Sequence, residues 1–204
     1  KAADEPWLDV VRIDWTPVFL PSQGADGYAL SPASVDDALK RAPKDGGWRR
    51  TSRPTLVCVY DAGDAAHLRA LRAAADDARV RTASKFFECF RVDAAPRGAD
   101  GPRFLVYGAD GALAGEVAGA FRPGRLYELL EKAYPKRGAL GSACDALDPL
   151  LKGHARCLWA ASMVERAVAC PDCGELRVDH LERLAELKAR RDEYAARIAD
   201  VVSD

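Results

Sequence analysis

The stretch Thr55-Leu-Val-Cys-Val-Tyr60 decides the fold of this chain. It is a continuous apolar run, rich in β-branched residues, of the length expected for a strand that is buried on both faces. Such a strand belongs in the middle of a sheet that includes parallel pairing. The turn Asp61-Ala-Gly-Asp64 follows it. An amphipathic helix is then predicted from Ala65 to about Val80, because its apolar residues recur every three or four positions.

Three more strands and a helix are predicted further along the chain. Residues 87–92 alternate as a strand, so strand, helix and strand together imply a parallel crossover. Residues 102–107 and 112–118 read as a β-hairpin around the turn Gly108-Ala-Asp-Gly111. A helix over about 125–133 closes this region.

This order of elements resembles the core of the thioredoxin family, and four landmarks carry the resemblance. They are the strand 55–60 before the family's active-site loop, the strand end Phe90-Arg-Val-Asp93, Pro102 at the position of the family's cis-proline, and the turn Asp110-Gly111 with Gly119 downstream. The resemblance covers about 80 residues. It implies an α/β fold with a three-layer α/β/α core and a mixed sheet, in a thioredoxin-like domain over 54–137.

The chain departs from the family at the reactive centre. Asp64-Ala-Ala-His67 stands where the family has Cys-x-x-Cys, and neither Asp nor His forms a mixed disulfide. No catalysis is therefore expected at Asp64 or His67. In one interpretation Asp64 caps the helix and His67 is a surface residue in its first turn. In the other, the helix end, His67 and the cis-proline strand form a polar pocket for a metal, an anion or a peptide.

Two cysteines lie within the predicted core. By the resemblance, Cys58 and Cys89 face each other from adjacent parallel strands. They are either buried thiols or a disulfide, and a bridge between neighbouring parallel strands is geometrically awkward.

The flanking regions are organised differently. Residues 1–53 form an N-terminal extension with a short helix at about Val35–Arg41. Residues 138–204 are predicted to form a helical hairpin, with a linker at 138–142 and one helix over 150–169 that starts at Asp148-Pro149. The second helix is predicted over 178–202, and its apolar stripe is Val178, Leu181, Leu184, Leu187, Tyr194, Ile198 and Val201.

The tip of this hairpin carries Cys170-Pro-Asp-Cys173, for which three interpretations stay open. A zinc site would add His154 and Cys157, although a helix between them and the tip would hold the two halves far apart. A structural disulfide would close the turn or involve Cys144 or Cys157, with Cys144 folding back beside Cys157. The third interpretation is a redox-active dithiol that exchanges electrons with a partner.

Composition excludes several classes of function. The chain has 204 residues with a net charge of -1, and it lacks the basic excess typical of nucleic-acid binding. Its longest apolar runs are far shorter than the roughly 20 residues of a membrane span. Heavy use of alanine and arginine with little lysine suggests a bacterial origin. Six cysteines and a first residue, Lys1, that is not Met favour an extracytoplasmic (periplasmic or secreted) protein with a removed signal peptide; a cytoplasmic protein or a trimmed start is the alternative.

These observations lead to a functional hypothesis. The chain is expected to be a thioredoxin-like, redox-inactive module that binds a protein partner, or a second copy of itself, through the C-terminal hairpin, and it is not expected to be an enzyme. The alternatives are a thiol-disulfide oxidoreductase that uses Cys170 and Cys173, and a zinc-stabilised interaction module. No cofactor is favoured, and zinc is the one considered.

Overall fold

The computed structural model describes residues 12–18, 53–93, 102–119, 122–136, 138–169 and 176–203. The predicted helix at 35–41, residues 94–101 and the predicted hairpin tip at 170–175 lie outside the described residues. The chain divides into two compact units, one spanning Ile13–Gly141 and the other containing the residues from Ser142 onwards.

The first unit is an α/β unit with a mixed sheet, as predicted. Its strands within the described residues are β1 (Thr16–Val18), β2 (Thr55–Tyr60), β3 (Glu88–Asp93), β4 (Arg103–Tyr107) and β5 (Leu113–Ala118). Its helices are α1 (Ala65–Asp76), α2 (Ala78–Ser84) and α3 (Pro123–Ala133). Two long helices follow, α4 (Leu140–Val168) and α5 (Leu176–Ser203).

The sheet has the strand order β1-β3-β2-β4-β5. β3 pairs in parallel with both β1 and β2, while β4 pairs antiparallel with β2 and β5. The predicted parallel crossover from β2 to β3 and the β4-β5 hairpin are therefore confirmed. The hairpin turns at Gly111, whose φ of 78° lies in the left-handed region that glycine adopts without steric cost.

The central strand β2 is buried on both faces, as its apolar run predicts. Leu56, Val57, Cys58 and Val59 are each at most 1% exposed. On the face that carries Leu56 and Cys58, α3 packs so closely on β5 that a Cβ at Gly115 would lie 2.6 Å from Leu129 Cδ2. This close approach explains why glycine occupies that position in the strand.

Two features of the first unit differ from the sequence-based expectations. The helix predicted over 65–80 is interrupted at Asp77, whose Oδ1 accepts hydrogen bonds from the amides of Arg79 and Val80 and so starts α2 as a new helix. The strand β1 was not predicted from the lead-in sequence. Its three residues are held by pairing with β3, a long-range contact that no local pattern indicates.

Helices α4 and α5 pack antiparallel to each other. A Cβ at Gly153 would lie 2.4 Å from Cζ of Tyr194, and Lys188 Nζ lies 3.0 Å from Glu165 Oε1. The later residue of α4 thus contacts the earlier residue of α5, as antiparallel packing requires. The absence of a side chain at Gly153 lets the Tyr194 ring lie directly on the backbone of α4.

The predicted start of the first hairpin helix is wrong. Residues 138–142 were expected to be a linker and Asp148-Pro149 a helix start, yet α4 begins at Leu140 and continues through Pro149. A proline inside a helix costs about 3 kcal/mol. The flanking side chains of Leu147, Leu150 and Leu151 are buried, and burial of one leucine contributes about 1.5–3 kcal/mol, so continuing the helix outweighs this cost.

The apolar stripe of α5 is only partly buried. The side chains from Leu184 to Val201 that face α4 are buried or half-buried, with Leu187 8% exposed. Val178 and Leu181, at 63% and 49% exposed, lie outside this contact, so the predicted single stripe is wrong at its first two positions. None of the described helices is long and apolar enough to cross a membrane.

Candidate functional site

The turn between β2 and α1 stands where the sequence analysis located the missing dithiol. It is closed by its own first residue, because Asp61 Oδ1 accepts a hydrogen bond from Gly63 N at 2.7 Å and Asp61 O accepts one from Asp64 N at 3.1 Å. A second link comes from β3, where Asp93 Oδ1 accepts from Ala62 N at 3.3 Å. Three of the turn's amides are thereby bonded within the unit.

Asp64 caps α1, as predicted. Its Oδ1 accepts a hydrogen bond from the amide of Ala66 at 2.6 Å, which satisfies one of the donors left open at a helix start. This bond to the ionised carboxylate is the main cause that lowers the pKa of Asp64 below its usual value. The side chain is therefore an anionic helix cap.

His67 is buried, and its predicted surface position is wrong. The residue is 4% exposed, and its Nδ1 accepts a hydrogen bond from the backbone amide of Asp61 at 2.8 Å. An imidazole nitrogen that accepts from an amide carries no proton, so in the neutral ring the proton is on Nε2. Nε2 lies 3.7 Å from Asp64 Oδ2, within the range of electrostatic attraction. The side chain joins the end of β2 to the first turn of α1.

Sequence reasoning missed the roles of Asp61 and of the amide that His67 binds. The Asp61-Ala-Gly-Asp64 composition indicated a turn, but no pattern indicated that a side chain six residues later would accept the first amide of that turn. Burial of position 67 was also concealed, because the apolar side chains of Leu68 and Leu71 indicated the inner face of α1, yet both are only half-buried whereas His67 is buried.

The two core cysteines are free and buried. In the paired strands Cys58 lies opposite Arg91, whereas Cys89 lies opposite Leu56. The two thiols are therefore two residues apart along the strands and do not face each other directly, which corrects the expected placement. Burial raises the pKa of the Cys58 thiol well above its usual range and that of Cys89 to about 12. Neither thiol supplies a thiolate near neutral pH.

Pro102 is buried and precedes β4, and its carbonyl accepts from Gly119 N at 3.3 Å. The peptide bond before it joins Gly101, which lies outside the described residues, so the cis-proline stays a prediction. Among the described residues no group of three or more His, Cys, Asp or Glu side chains could hold a metal ion. The side chains of Asp61, Asp64, His67 and Asp93 each accept a hydrogen bond from a backbone amide of the turn or of the start of α1.

Two of the hairpin cysteines, Cys144 and Cys157, lie far apart along α4. Cys144 and Cys157 are buried thiols, and a continuous helix places their Cα atoms about 20 Å apart, against the 4.4–6.8 Å of a disulfide. The alternative in which Cys144 folds back beside Cys157 is therefore wrong. His154 and Cys157 occupy the same unbroken helix. Cys170 and Cys173 lie outside the described residues, so their disulfide, redox and zinc interpretations stay predictions.

A groove lies on the surface of the hairpin in the second unit. Its volume is about 550 Å³, and it is lined by apolar side chains with one basic and one acidic residue: Ala146, Pro149, Leu150, Tyr194, Arg197, Asp200 and Val201. It combines an apolar floor with charges of both signs.

Comparison with protein-family models, curated proteins and solved structures finds no match to this chain.

Proposed function

We propose that this chain is a non-catalytic protein-binding module, built on a thioredoxin-like core that does not carry out disulfide exchange. The observation that carries the proposal is the buried imidazole of His67, whose Nδ1 accepts the Asp61 amide at 2.8 Å. Together with the Asp64 cap, it means that both positions where the resemblance expects thiols hold side chains bonded to backbone amides. They hold the local fold and offer no nucleophile.

The thioredoxin-like core is supported by the order of the elements. A parallel strand-helix-strand unit, β2 to β3, is followed by the β4-β5 hairpin and then by α3. Burial of β2 on both faces is what a sheet covered on two sides requires, in agreement with a three-layer arrangement.

The binding role is supported by the second unit. A hairpin of two helices of 29 and 28 residues is long for a structural appendage, and it exposes large apolar side chains. Trp159 and Met163 on α4 are 38% and 46% exposed, and Val178 and Leu181 on α5 are still more accessible. Covering apolar side chains of this size with a partner removes them from water and favours binding.

Insulin reduction in the presence of dithiothreitol tests the absence of exchange chemistry. We expect no turnover above the dithiothreitol blank for the natural chain. Activity that survives the double substitution Cys170→Ser and Cys173→Ser would overturn the proposal, because the core itself would then carry chemistry. Activity that disappears in this variant would instead establish the tip as a redox dithiol.

A gain-of-function variant tests the thioredoxin-like core directly. Asp64→Cys with His67→Cys installs Cys-Ala-Ala-Cys at the start of α1, where the helix dipole favours a thiolate. We expect this variant to form a reversible disulfide and to reduce insulin. A variant that folds by circular dichroism but does neither would contradict the thioredoxin-like assignment.

A further inference from the structure

One side of α5 carries a regular alternation of charge. Arginine recurs every seven residues, and an acidic residue follows each arginine by three positions: Arg183, Glu186, Arg190, Glu193, Arg197 and Asp200. All six residues are exposed. We call this set the Arg-acid stripe. It spans about 26 Å of helix.

The stripe is separate from the contact between α5 and α4. The buried and half-buried positions of α5 from Leu184 onwards recur at heptad spacing, and each charge of the stripe precedes one of them by one position. The stripe therefore flanks the contact and leaves its charges available to another molecule.

Most of the stripe has no partner within the described residues. Arg183 Nη1 lies 2.9 Å from Glu186 Oε2, with the two side chains 59% and 68% exposed. No hydrogen bond or ion pair links the other four side chains to any residue that the structure describes. The charged residues of the stripe are three or four positions apart, a spacing that permits ion pairs along one helix. Within the stripe, only Arg183 and Glu186 form such a pair among the described residues.

The order of charges is self-complementary when a second copy runs in the opposite direction. About a two-fold axis midway between Arg190 and Glu193, every arginine of the stripe lies opposite an acidic residue. The three kinds of pair are Arg183 with Asp200, Glu186 with Arg197, and Arg190 with Glu193, and each occurs twice. A parallel pairing in register would place arginine against arginine. The pattern thus selects both the partner and its direction.

The groove adds an apolar contact to the same arrangement. It is lined by Tyr194, Arg197, Asp200 and Val201 on α5, at the end of the stripe that Arg183 of a second copy would reach. The long aliphatic stem of arginine covers apolar surface while its guanidinium stays in water beside a carboxylate. The groove can therefore accept this side chain next to Asp200.

We propose that the Arg-acid stripe is a self-association surface, on which a second copy of this chain binds antiparallel through α5. This inference rests on the proposed binding function of the hairpin, whose partner it names. Exposed ion pairs contribute little individually and are screened by salt, so the dimer is weak and forms best at low ionic strength.

Sedimentation equilibrium of the full chain at up to about 200 µM tests the proposal, in about 50 and 500 mM NaCl. We expect dimers that dissociate as salt increases. Arg190→Glu alone and Glu193→Arg alone should each raise the dimer dissociation constant by roughly tenfold, because each creates two like-charge contacts at the axis. Asp192→Arg is the matched control, since it makes the same kind of change outside the stripe and should leave the dissociation constant unchanged.

Mixing the two single variants distinguishes pairing between copies from pairing along one helix. The Arg190→Glu copy carries Glu at both axial positions and the Glu193→Arg copy carries Arg at both, so a mixture should form heterodimers as tight as the natural dimer. Pairing within one helix predicts no such recovery. A chain that stays monomeric in low salt, or a mixture without heterodimers, would overturn the self-association proposal while leaving a different protein partner, and hence the proposed function, intact. Core exchange activity would overturn the proposed function and leave the dimer unaffected.

Discussion

Replacing His67 by leucine should destabilise the first unit because one hydrogen bond is lost. Leucine keeps an apolar side chain of similar size in a site that is 4% exposed, but it removes the acceptor that Nδ1 offers to the Asp61 amide at 2.8 Å. An unpaired buried donor costs about 1–3 kcal/mol. Because Asp61 itself is half-buried, water can partly replace the lost acceptor, and we expect about 1–2 kcal/mol.

Asparagine at the same position is the matched variant, since its Oδ1 can accept the amide much as the imidazole Nδ1 does. Hydrogen-deuterium exchange of a peptide that covers residues 55–68 reports the opening of this turn, and a peptide from α5 serves as reference because the two units can open separately. His67→Leu should speed exchange of the turn by about 5- to 30-fold relative to His67→Asn. Equal exchange in the two variants would refute the assigned hydrogen bond.

Two further outcomes follow from the packing of glycine and cysteine. Gly153→Ala should lower the free energy of unfolding by about 1–3 kcal/mol, because its Cβ would lie 2.4 Å from Tyr194 Cζ. Gly141→Ala in the same helix meets nothing closer than 3.9 Å and should raise the free energy of unfolding by up to about 1 kcal/mol. Thermal unfolding of the two variants checks this, and similar effects on stability would contradict the packing of Tyr194 on Gly153. Burial raises the pKa of Cys89 to about 12 in the folded state, above the value of about 8.5 in the unfolded chain, so its contribution to stability is fully present below about pH 8.5 and is lost as the pH rises towards 12. Urea unfolding at pH 7 and pH 10 should therefore show a decrease in stability that Cys89→Ala makes smaller, and an unchanged decrease would contradict the buried thiol.

The sheet was largely predictable because its signals are local. The apolar run of β2 and the Asp110-Gly111 turn each specify a local conformation, and both occur at the predicted residues. β1 was not predictable, because three residues with Pro17 at their centre form a strand only through their pairing with β3. The break at Asp77 had a visible signal, since aspartate is a favoured helix cap, but the apolar period continued across it.

The candidate site was predictable in part. Asp64 is exposed, and its role as a cap depends only on its neighbours in sequence, so the local pattern was sufficient. His67 is different because its burial depends on how α1 packs in the unit, and its bond to Asp61 depends on the path of the turn. A polar residue one helical turn from a cap is therefore predicted to be exposed unless the donor that it binds is known.

The partly wrong apolar stripe of α5 has a geometric explanation that bears on binding. Two helices that pack antiparallel over several turns keep contact at a period of 3.5 residues, whereas a stripe extended at any mixture of three and four can leave that contact. In the heptad frame that begins at Leu184, Val178 occupies the same position as the exposed Ala185, which faces away from α4. Leu181 occupies the position of Lys188, at the edge of the contact with α4, and is nevertheless 49% exposed. Both residues lie in the first two turns of α5. Because α4 does not bury them, the same sequence that holds α5 against α4 also leaves apolar surface near the start of α5 for a partner to cover.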